Sequence, residues 1–431
     1  MKVGESLNIA FFTLGCKVNQ YDSQMMSEKL TDAGHNICSF DEKADVYIIN
    51  TCTVTQISDK KSRNTISKAR RLNPQAIIVV CGCFSQVSPD EAAAIEGVDI
   101  VIGTRNRPEI LYYINEFLKT GKQIVDVNAT SDIQNENITD FSEKTRAIIK
   151  IEDGCRNFCS YCLIPFARGS IVSKSIEQII TEAKSLVENG YKEIVLTGIH
   201  LSSYGKDIGD VNLADAIEAV SAVEGVHRIR LGSLEPTIVD KTFVDRIKNV
   251  VKLCPSFHLS LQSGCDKTLK AMNRKYTADE YKNAVSLLRE NIADCAFTTD
   301  VIVGFPGETE EDFEQSLNFV DEIAFSKVHI FPYSKRKGTK AANMPDQVTK
   351  QIKKQREAKL MQDEQRNRLQ FMNSFIGREV EVLVERCVDG ICDGFTTNYI
   401  SVNFPGNASL CNSFVNVTID FADENNLSGH I

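Results

Sequence analysis

KIEDGCRNFCSYCLIPFARG, residues 150–169, grows directly out of an apolar run, AIIKI (147–151). A strand that ends in a loop with Cys-x3-Cys-x2-Cys spacing opens a series. Further β-type runs follow at EIVLT (193–197), HRIRLGS (227–233), FHLSLQ (257–262), FTTDVIVGF (297–305) and KVHIFPY (327–333). Helical spacing fills the gaps at about 175–189, 213–223, 240–252, 277–291 and 309–322. Six β/α units are too few to close a (β/α)8 barrel, so the spacing predicts an open partial barrel. In such folds chemistry gathers at the C-terminal ends of the strands, which is where the three cysteines lie.

Upstream, NIAFFT (8–13), VYIIN (46–50), AIIVV (76–80) and VDIVIG (98–103) read as buried parallel strands. Helices are expected over 22–34, with Asp22 as N-cap and Gly34 as stop, over 56–72 and over 108–119. The polar stretch 128–145 lacks periodicity and reads as a linker. Downstream, 346–373 is helical, and the segment 335–372 carries 11 Lys+Arg against 4 Asp+Glu. Strand-like runs at 379–387, 391–395, 399–404 and 413–419 then suggest a small β-barrel. The expected fold class is α/β in three parts. These are an N-terminal parallel α/β domain (1–127), a central open (β/α)6 partial TIM barrel with a basic C-terminal helix (146–373), and a C-terminal β-barrel (374–431).

With 42% hydrophobic and 25% charged residues, the 431-residue chain has the composition of a globular protein. It offers no run of about 20 apolar residues and no secretory signal, so no membrane span is expected and the expected location is cytoplasmic. The net charge of −9 argues against coating nucleic acid by bulk charge, and DNA is not an expected partner. In this setting 14 cysteines are expected to be thiols, metal ligands or catalysts rather than a disulfide framework.

Cys155, Cys159 and Cys162 can bind three irons of a [4Fe–4S] cluster and leave the fourth open. A zinc knuckle is the competing reading. The arrangement resembles the radical SAM superfamily. That resemblance implies that the open iron takes S-adenosyl-L-methionine and that reduction generates a 5′-deoxyadenosyl radical. Tyr161 is placed to pack against the cofactor. Strand ends supply further candidate contacts: Thr197 and Gly198, Ser233 and Glu235, and Gln262. Each is equally compatible with ordinary turn chemistry.

A second cysteine set occurs in TLGCKVNQYDS (13–23), NTCTV (50–54) and VVCGCFSQ (79–86). Cys16, Cys52 and Cys83 each lie just beyond an expected strand of one parallel sheet, on the edge where ligands bind. They suit a second [4Fe–4S] cluster with an open iron, or else three buried small hydrophobes. Cys81 is the alternative to Cys83, but it continues the strand into the core. Cysteines 38, 254, 265, 295, 387, 392 and 411 show no ligand spacing.

Taken in order along the chain, these motifs resemble the radical SAM methylthiotransferase family, whose C-terminal barrel is a TRAM domain. TLGCKVNQYDSQ, TGIHLSSYG, LQSGCDKTLKAMNRKY and FPYSKRKGTKA are similar to its MtaB branch, the tRNA N6-threonylcarbamoyladenosine methylthiotransferases. The resemblance implies insertion of a methylthio group at C2 of adenosine 37, in the tRNA anticodon loop. It also implies two [4Fe–4S] clusters, S-adenosyl-L-methionine and an electron donor such as flavodoxin or ferredoxin. The branches acting on N6-isopentenyladenosine or on a ribosomal-protein aspartate are the alternatives. Two features depart from the family. The C-terminal barrel is acidic, with 2 Lys+Arg against 8 Asp+Glu over 374–431. SIVSKS (170–175) replaces an arginine-rich stretch, with Lys174 as a partial substitute. Phe395, Tyr399 and Phe404 are placed either to stack bases or to pack a core.

Overall fold

A computed structural model describes residues 4–53, 56–128, 133, 136–141 and 145–431. In the N-terminal domain the strands are β1 (Asn8–Thr13), β2 (Asn36–Cys38), β3 (Val46–Thr51), β4 (Ile77–Gly82), β5 (Ile100–Ile102) and β6 (Ile124–Asp126). They form one parallel sheet in the order β2-β1-β3-β4-β5-β6. Its helices are α1 (Lys17–Asp32), α2 (Gln56–Leu72), α3 (Cys83–Val87), α4 (Pro89–Ala93) and α5 (Ile110–Thr120). Continuous apolar strands are needed because both faces are covered. Ala10, Tyr47, Ile49, Ile78 and Val80 pack in a core that includes Ile66 and Ala69 of α2. Ile9, Ile48, Val79 and Cys81 point the other way, into a core shared with Tyr21 and Met25 of α1 and with the strands of the second domain.

The second domain comprises β7 (Arg146–Lys150), β8 (Glu152–Asp153), α6 (Ile164–Arg168), β9 (Val172–Ser173), α7 (Ile176–Glu188), β10 (Glu193–Thr197), α8 (Leu213–Ser221), β11 (Arg228–Leu231), α9 (Lys241–Ile247), β12 (Ser256–His258), α10 (Asp266–Ala271), α11 (Ala278–Asn291), β13 (Ala296–Val303), α12 (Glu310–Ile323) and β14 (Lys327–Pro332). Its two three-stranded parallel sheets, β11-β10-β7 and β12-β13-β14, are joined by bridges at Ile229–Leu253 and Leu234–Leu259. The result is an open six-stranded barrel. α7, α11 and α12 begin at Ser175, Thr277 and Thr309, whose hydroxyls accept backbone N–H groups of the first turn.

α13 (Lys350–Asn373) leads into a closed barrel of β15 (Glu379–Val388), β16 (Ile391–Thr396), β17 (Ser401–Pro405), β18 (Phe414–Ala422) and β19 (Leu427–His430), ordered β15-β16-β17-β19-β18. Much of the basic charge of α13 serves internal pairing. Arg356 bonds Glu308 at 2.6 Å, and Arg366 bonds Asp321 of α12 at 2.5 Å.

Several expectations are corrected. Asp22 is not an N-cap: α1 starts one turn earlier, behind Cys16, and Asp22 is a buried mid-helix carboxylate. Cys387 and Cys392 face each other across β15 and β16 and form a disulfide, so these two are not free thiols. Lys174 cannot stand in for a surface arginine. It is fully buried, and its ammonium donates to Glu182 at 2.6 Å and to the Tyr21 hydroxyl at 3.1 Å.

Parts of the expected linker, 129–132, 134–135 and 142–144, lie outside the described residues. The described remainder is structural: Ile138 and Phe141 are buried, and Glu136 pairs with the Lys150 ammonium.

Candidate active site

β1, β3 and β4 are neighbours, so their C-terminal ends share one edge. Cys16 caps α1 there, Cys52 follows β3 and Cys83 opens α3. The turns admit only glycine beside these residues. Gly15 has φ +102°, and a Cβ on it would stand 3.1 Å from the Cys52 sulfur. Gly82 has φ +99°, and a Cβ would meet the Thr51 carbonyl oxygen at 2.4 Å. Asn19 ties the loops together by donating to the carbonyls of Leu14 (2.7 Å) and Thr51 (3.1 Å). Cys81 is different. It lies within β4, fully buried, where desolvation pushes its thiol up to about 12.

Cys155, Cys159 and Cys162 occupy the loop between β8 and α6. Gly154, at φ +98°, allows the loop to pass Ser170, whose carbonyl oxygen would lie 2.2 Å from a Cβ. The Cys155 N–H donates to Gly169 O (3.1 Å), the Cys162 N–H to Cys159 O (2.9 Å), and the Ser160 N–H to Met272 O (2.9 Å). All three sulfurs already accept hydrogen bonds, from the Asn157 N–H (3.5 Å), Arg274 Nη1 (3.3 Å) and the Ile164 N–H (3.4 Å). Burial pushes the Cys155 thiol up to about 11 and the Cys162 thiol up to about 12. Three soft donors, pre-aimed and ringed by N–H groups, fit an iron–sulfur cluster, and ionisation of the thiols then depends on the metal.

Around this loop, Glu235 accepts from Asn157 (2.8 Å) and pairs with Arg274 (2.9 Å) and His200 (3.0 Å). Burial would raise its carboxyl, but the His200 hydrogen bond and the Arg274 charge outweigh it and hold the group below the usual range. Thr197 is buried at the end of β10. Gly198 packs against Glu152, whose Oε2 a Cβ would meet at 2.5 Å. Ser233 is exposed at the end of β11. Gln262 has φ +68° and bridges Val301. Tyr161 packs edge-on to Phe305, at 6.4 Å between centroids. Asn157, His200 and Arg274 were not singled out from the sequence. Arg274 lies in the MNRKY run, where only the fold shows its guanidinium turning back to Cys159.

The two triads meet through Arg168, six residues past Cys162. It is fully buried and bonds Asp22 and Asp153, each at 3.0 Å, and Asn19. The Asp153 and Asp22 carboxylates hold its guanidinium in the charged form against burial, and Cys83 and Cys16 lie within electrostatic reach of it. Asp22 also pairs with Arg107 (2.5 Å) and Lys150 (2.7 Å). Arg336, beyond β14, reaches Thr53 at 2.8 Å.

The barrel lumen is a cavity of about 720 Å³. Its walls are inward-facing strand residues such as Ile148, Val195 and His258. Lys17 and Gln20 of α1 reach in, and Phe395 and Tyr399 of the last barrel complete the lining. Those two rings stack at 4.9 Å, with Arg146 over both. Phe404 instead lies in the small barrel's own core. His258, Asp300 and His329 cluster on β12–β14, with the ligand-type atoms of the three within 4.8 Å of one another.

Comparison with known proteins bears on this arrangement. Residues 8–103 match the family described as "Uncharacterized protein family UPF0004", and residues 149–320 match the radical SAM superfamily. The chain is 41% identical to the threonylcarbamoyladenosine tRNA methylthiotransferase MtaB of Bacillus subtilis, over 95% of this chain and 93% of that protein. It is 36% identical to the tRNA-2-methylthio-N(6)-dimethylallyladenosine synthase of Acetivibrio thermocellus, over 100% and 92%. The radical S-adenosylmethionine methyltransferase TsrM of Kitasatospora setae shares the fold alone: TM-score 0.58 at 15% identity, over 78% of this chain and 77% of that one. Identity of this degree, along nearly the whole length of relatives that carry both halves, makes the chain a member of the radical SAM tRNA methylthiotransferase family.

Proposed function

We propose that the protein inserts a methylthio group at C2 of N6-threonylcarbamoyladenosine in the tRNA anticodon loop, giving the 2-methylthio form. The observation that carries the reading is that Arg168, six residues past Cys162, lies buried within electrostatic reach of Cys16 and Cys83 of the other set. An aromatic C–H resists acid–base chemistry, so the reactivity must come from a cofactor. Bound at the two triads, [4Fe–4S] clusters with S-adenosyl-L-methionine supply a carbon radical on one side and the sulfur on the other. Cys155, Cys159 and Cys162 hold the first cluster, and Cys16, Cys52 and Cys83 the second.

The chain's own groups position these partners. Arg274 orients the Cys159 sulfur and, with Asn157 and His200, fixes Glu235 as an acceptor for the cofactor's amino or ribose groups. The Asp22–Arg168–Asp153 network ties α1, which follows Cys16, to the chain on either side of the Cys155–Cys162 loop. The choice of the threonylcarbamoyl substrate is supported by the 41% identity to the MtaB of Bacillus subtilis, against 36% to the dimethylallyl-type synthase of Acetivibrio thermocellus. Among the described residues no helix is long and apolar enough to cross a membrane. That is compatible with action in the cytoplasm, with a flavodoxin or ferredoxin as reductant.

The test is mass spectrometry of nucleosides from bulk tRNA of cells with and without the protein. Loss of the methylthio form of N6-threonylcarbamoyladenosine, with accumulation of its parent, is expected. A change confined to the isopentenyl counterpart would refute the substrate assignment and leave the chemistry intact.

A further inference from the structure

The lumen cavity is lined by five cationic side chains, Lys17, Arg146, Arg230, Lys327 and Arg368, and by one carboxylate, Glu385. Two of the cations already have carboxylate partners: Arg146 bonds Glu385 at 2.6 Å, and Arg230 bonds Glu193 at 2.5 Å. Lys17 differs. It enters from the N-terminal domain at the first turn of α1, and no carboxylate among the described residues pairs with it. Its neighbours include Tyr399, Arg146 and Arg230. His329 also faces the cavity, within electrostatic reach of Lys17.

A concave site with an excess of one sign of charge is complementary to a ligand group of the opposite sign. An ammonium without a counterion in such a site leaves room for one charge-assisted bond. The cavity has the volume of sites that enclose a small organic ligand. It runs from Ser233, at the C-terminal end of β11, down to Ser256 at the start of β12. Lys17 is the residue after Cys16, so an anion held there lies beside the second triad.

We propose that the lumen receives the N6-threonylcarbamoyl arm of the substrate adenosine and that Lys17 pairs with its carboxylate. This rests on the substrate reading above and adds to it the residue that selects the acidic arm. An isopentenyl arm is apolar and uncharged. It would occupy the cavity and leave Lys17 unpaired, and a site built for a polar group rejects an analogue that lacks it.

The experiment uses reconstituted holoenzyme and anticodon stem-loop RNA carrying N6-threonylcarbamoyladenosine. The comparison RNA is identical except that the arm's carboxylate is a neutral carboxamide. Direct binding should favour the acid by about 10-fold, the scale of one hydrogen-bonded charge. Lys17→Met should abolish the preference, and Lys17→Arg should restore it. Iron content checks that each variant keeps both clusters. Equal binding of acid and carboxamide by the unaltered enzyme overturns the proposal with no variant needed, and so does a preference that survives Lys17→Met. The unaltered enzyme is also given the threonylcarbamoyl RNA, its carboxamide analogue and an isopentenyl RNA as substrates. Conversion of the threonylcarbamoyl RNA without an acid preference removes only the role of Lys17. Conversion of isopentenyl RNA alone removes the substrate reading, and this proposal with it.

Discussion

Asp22→Asn removes the carboxylate on which three buried cations converge. Arg107 stands 2.5 Å from it, Lys150 2.7 Å and Arg168 3.0 Å, each with a side chain at most 2% exposed. Asparagine keeps the shape and one acceptor oxygen but leaves an uncompensated positive charge between α1 and the central barrel. Removing one partner of a buried ion pair costs about 3–5 kcal/mol, and the same loss is expected here. Urea unfolding of the reconstituted enzyme measures it. Far-UV circular dichroism is the suitable probe, because the chain has no tryptophan. Adding Arg107→Met restores the charge balance. The double variant should therefore be more stable than the sum of the single changes by about 1 kcal/mol or more, even though Arg107 also gives up its 2.9 Å bond to Thr104 O. The pH dependence has a definite sign. The folded Asp22 carboxyl is held well below its ordinary value, because Arg107, Lys150 and Arg168 together outweigh desolvation. Its contribution is then complete above about pH 5 and is lost as pH falls below about 4. A cost under about 1 kcal/mol, or strict additivity with Arg107→Met, would show that the network does not join the domains.

Cys16→Ala and Cys155→Ala should each lower bound iron from about eight per chain to about four, and only the second should abolish reductive cleavage of S-adenosyl-L-methionine. Iron assay and product chromatography read the two effects separately. Gly82→Ala places a Cβ 2.4 Å from the Thr51 carbonyl oxygen at φ +99°. It should destabilise the N-terminal domain by about 1–3 kcal/mol and strip iron from the second triad alone. After chelation of iron, alkylation of Cys155 and Cys162 at pH 8 should be slow and should quicken steeply as pH rises toward their values of about 11 and 12. Fast alkylation at pH 8 would show that the loop opens when the metal leaves. Arg274→Met should cut turnover by about tenfold or more while iron on the second triad stays full, since it removes one bond to Cys159 and one charge from Glu235.

The parallel strands and the helices between them were legible because burial on both faces demands long apolar runs, as in IIVVCG and VYIINT. The placement of Cys16, Cys52, Cys83 and the Cys155–Cys162 loop beyond strand ends was legible because each follows such a run. Some short elements were not. β2, β6 and β19 have three or four residues each and carry no periodicity. The start of α1 was misplaced because Cys16 makes no side-chain capping bond, whereas Asp22 has the chemistry of a cap but is drawn inward by three cations. Lys174 read as a partial substitute for an arginine because its partner Glu182 and the Tyr21 hydroxyl come from other elements. Charge pairing across domains leaves no local pattern, so the residues that join the two triads emerged only in three dimensions.

The two triads also differ in how much chain must be in place before metal can bind. Cys155, Cys159 and Cys162 share one loop that Gly154 and Gly169 pin at its ends, so closing it costs little chain entropy. Cys16, Cys52 and Cys83 come together only when β1, β3 and β4 have paired in register. The N-terminal site therefore does not exist until its sheet has folded, while the later site needs one loop and the Met272–Arg274 segment that braces it. Iron starvation should accordingly yield chains filled at the loop and empty at the sheet edge, able to cleave S-adenosyl-L-methionine but with no sulfur to insert.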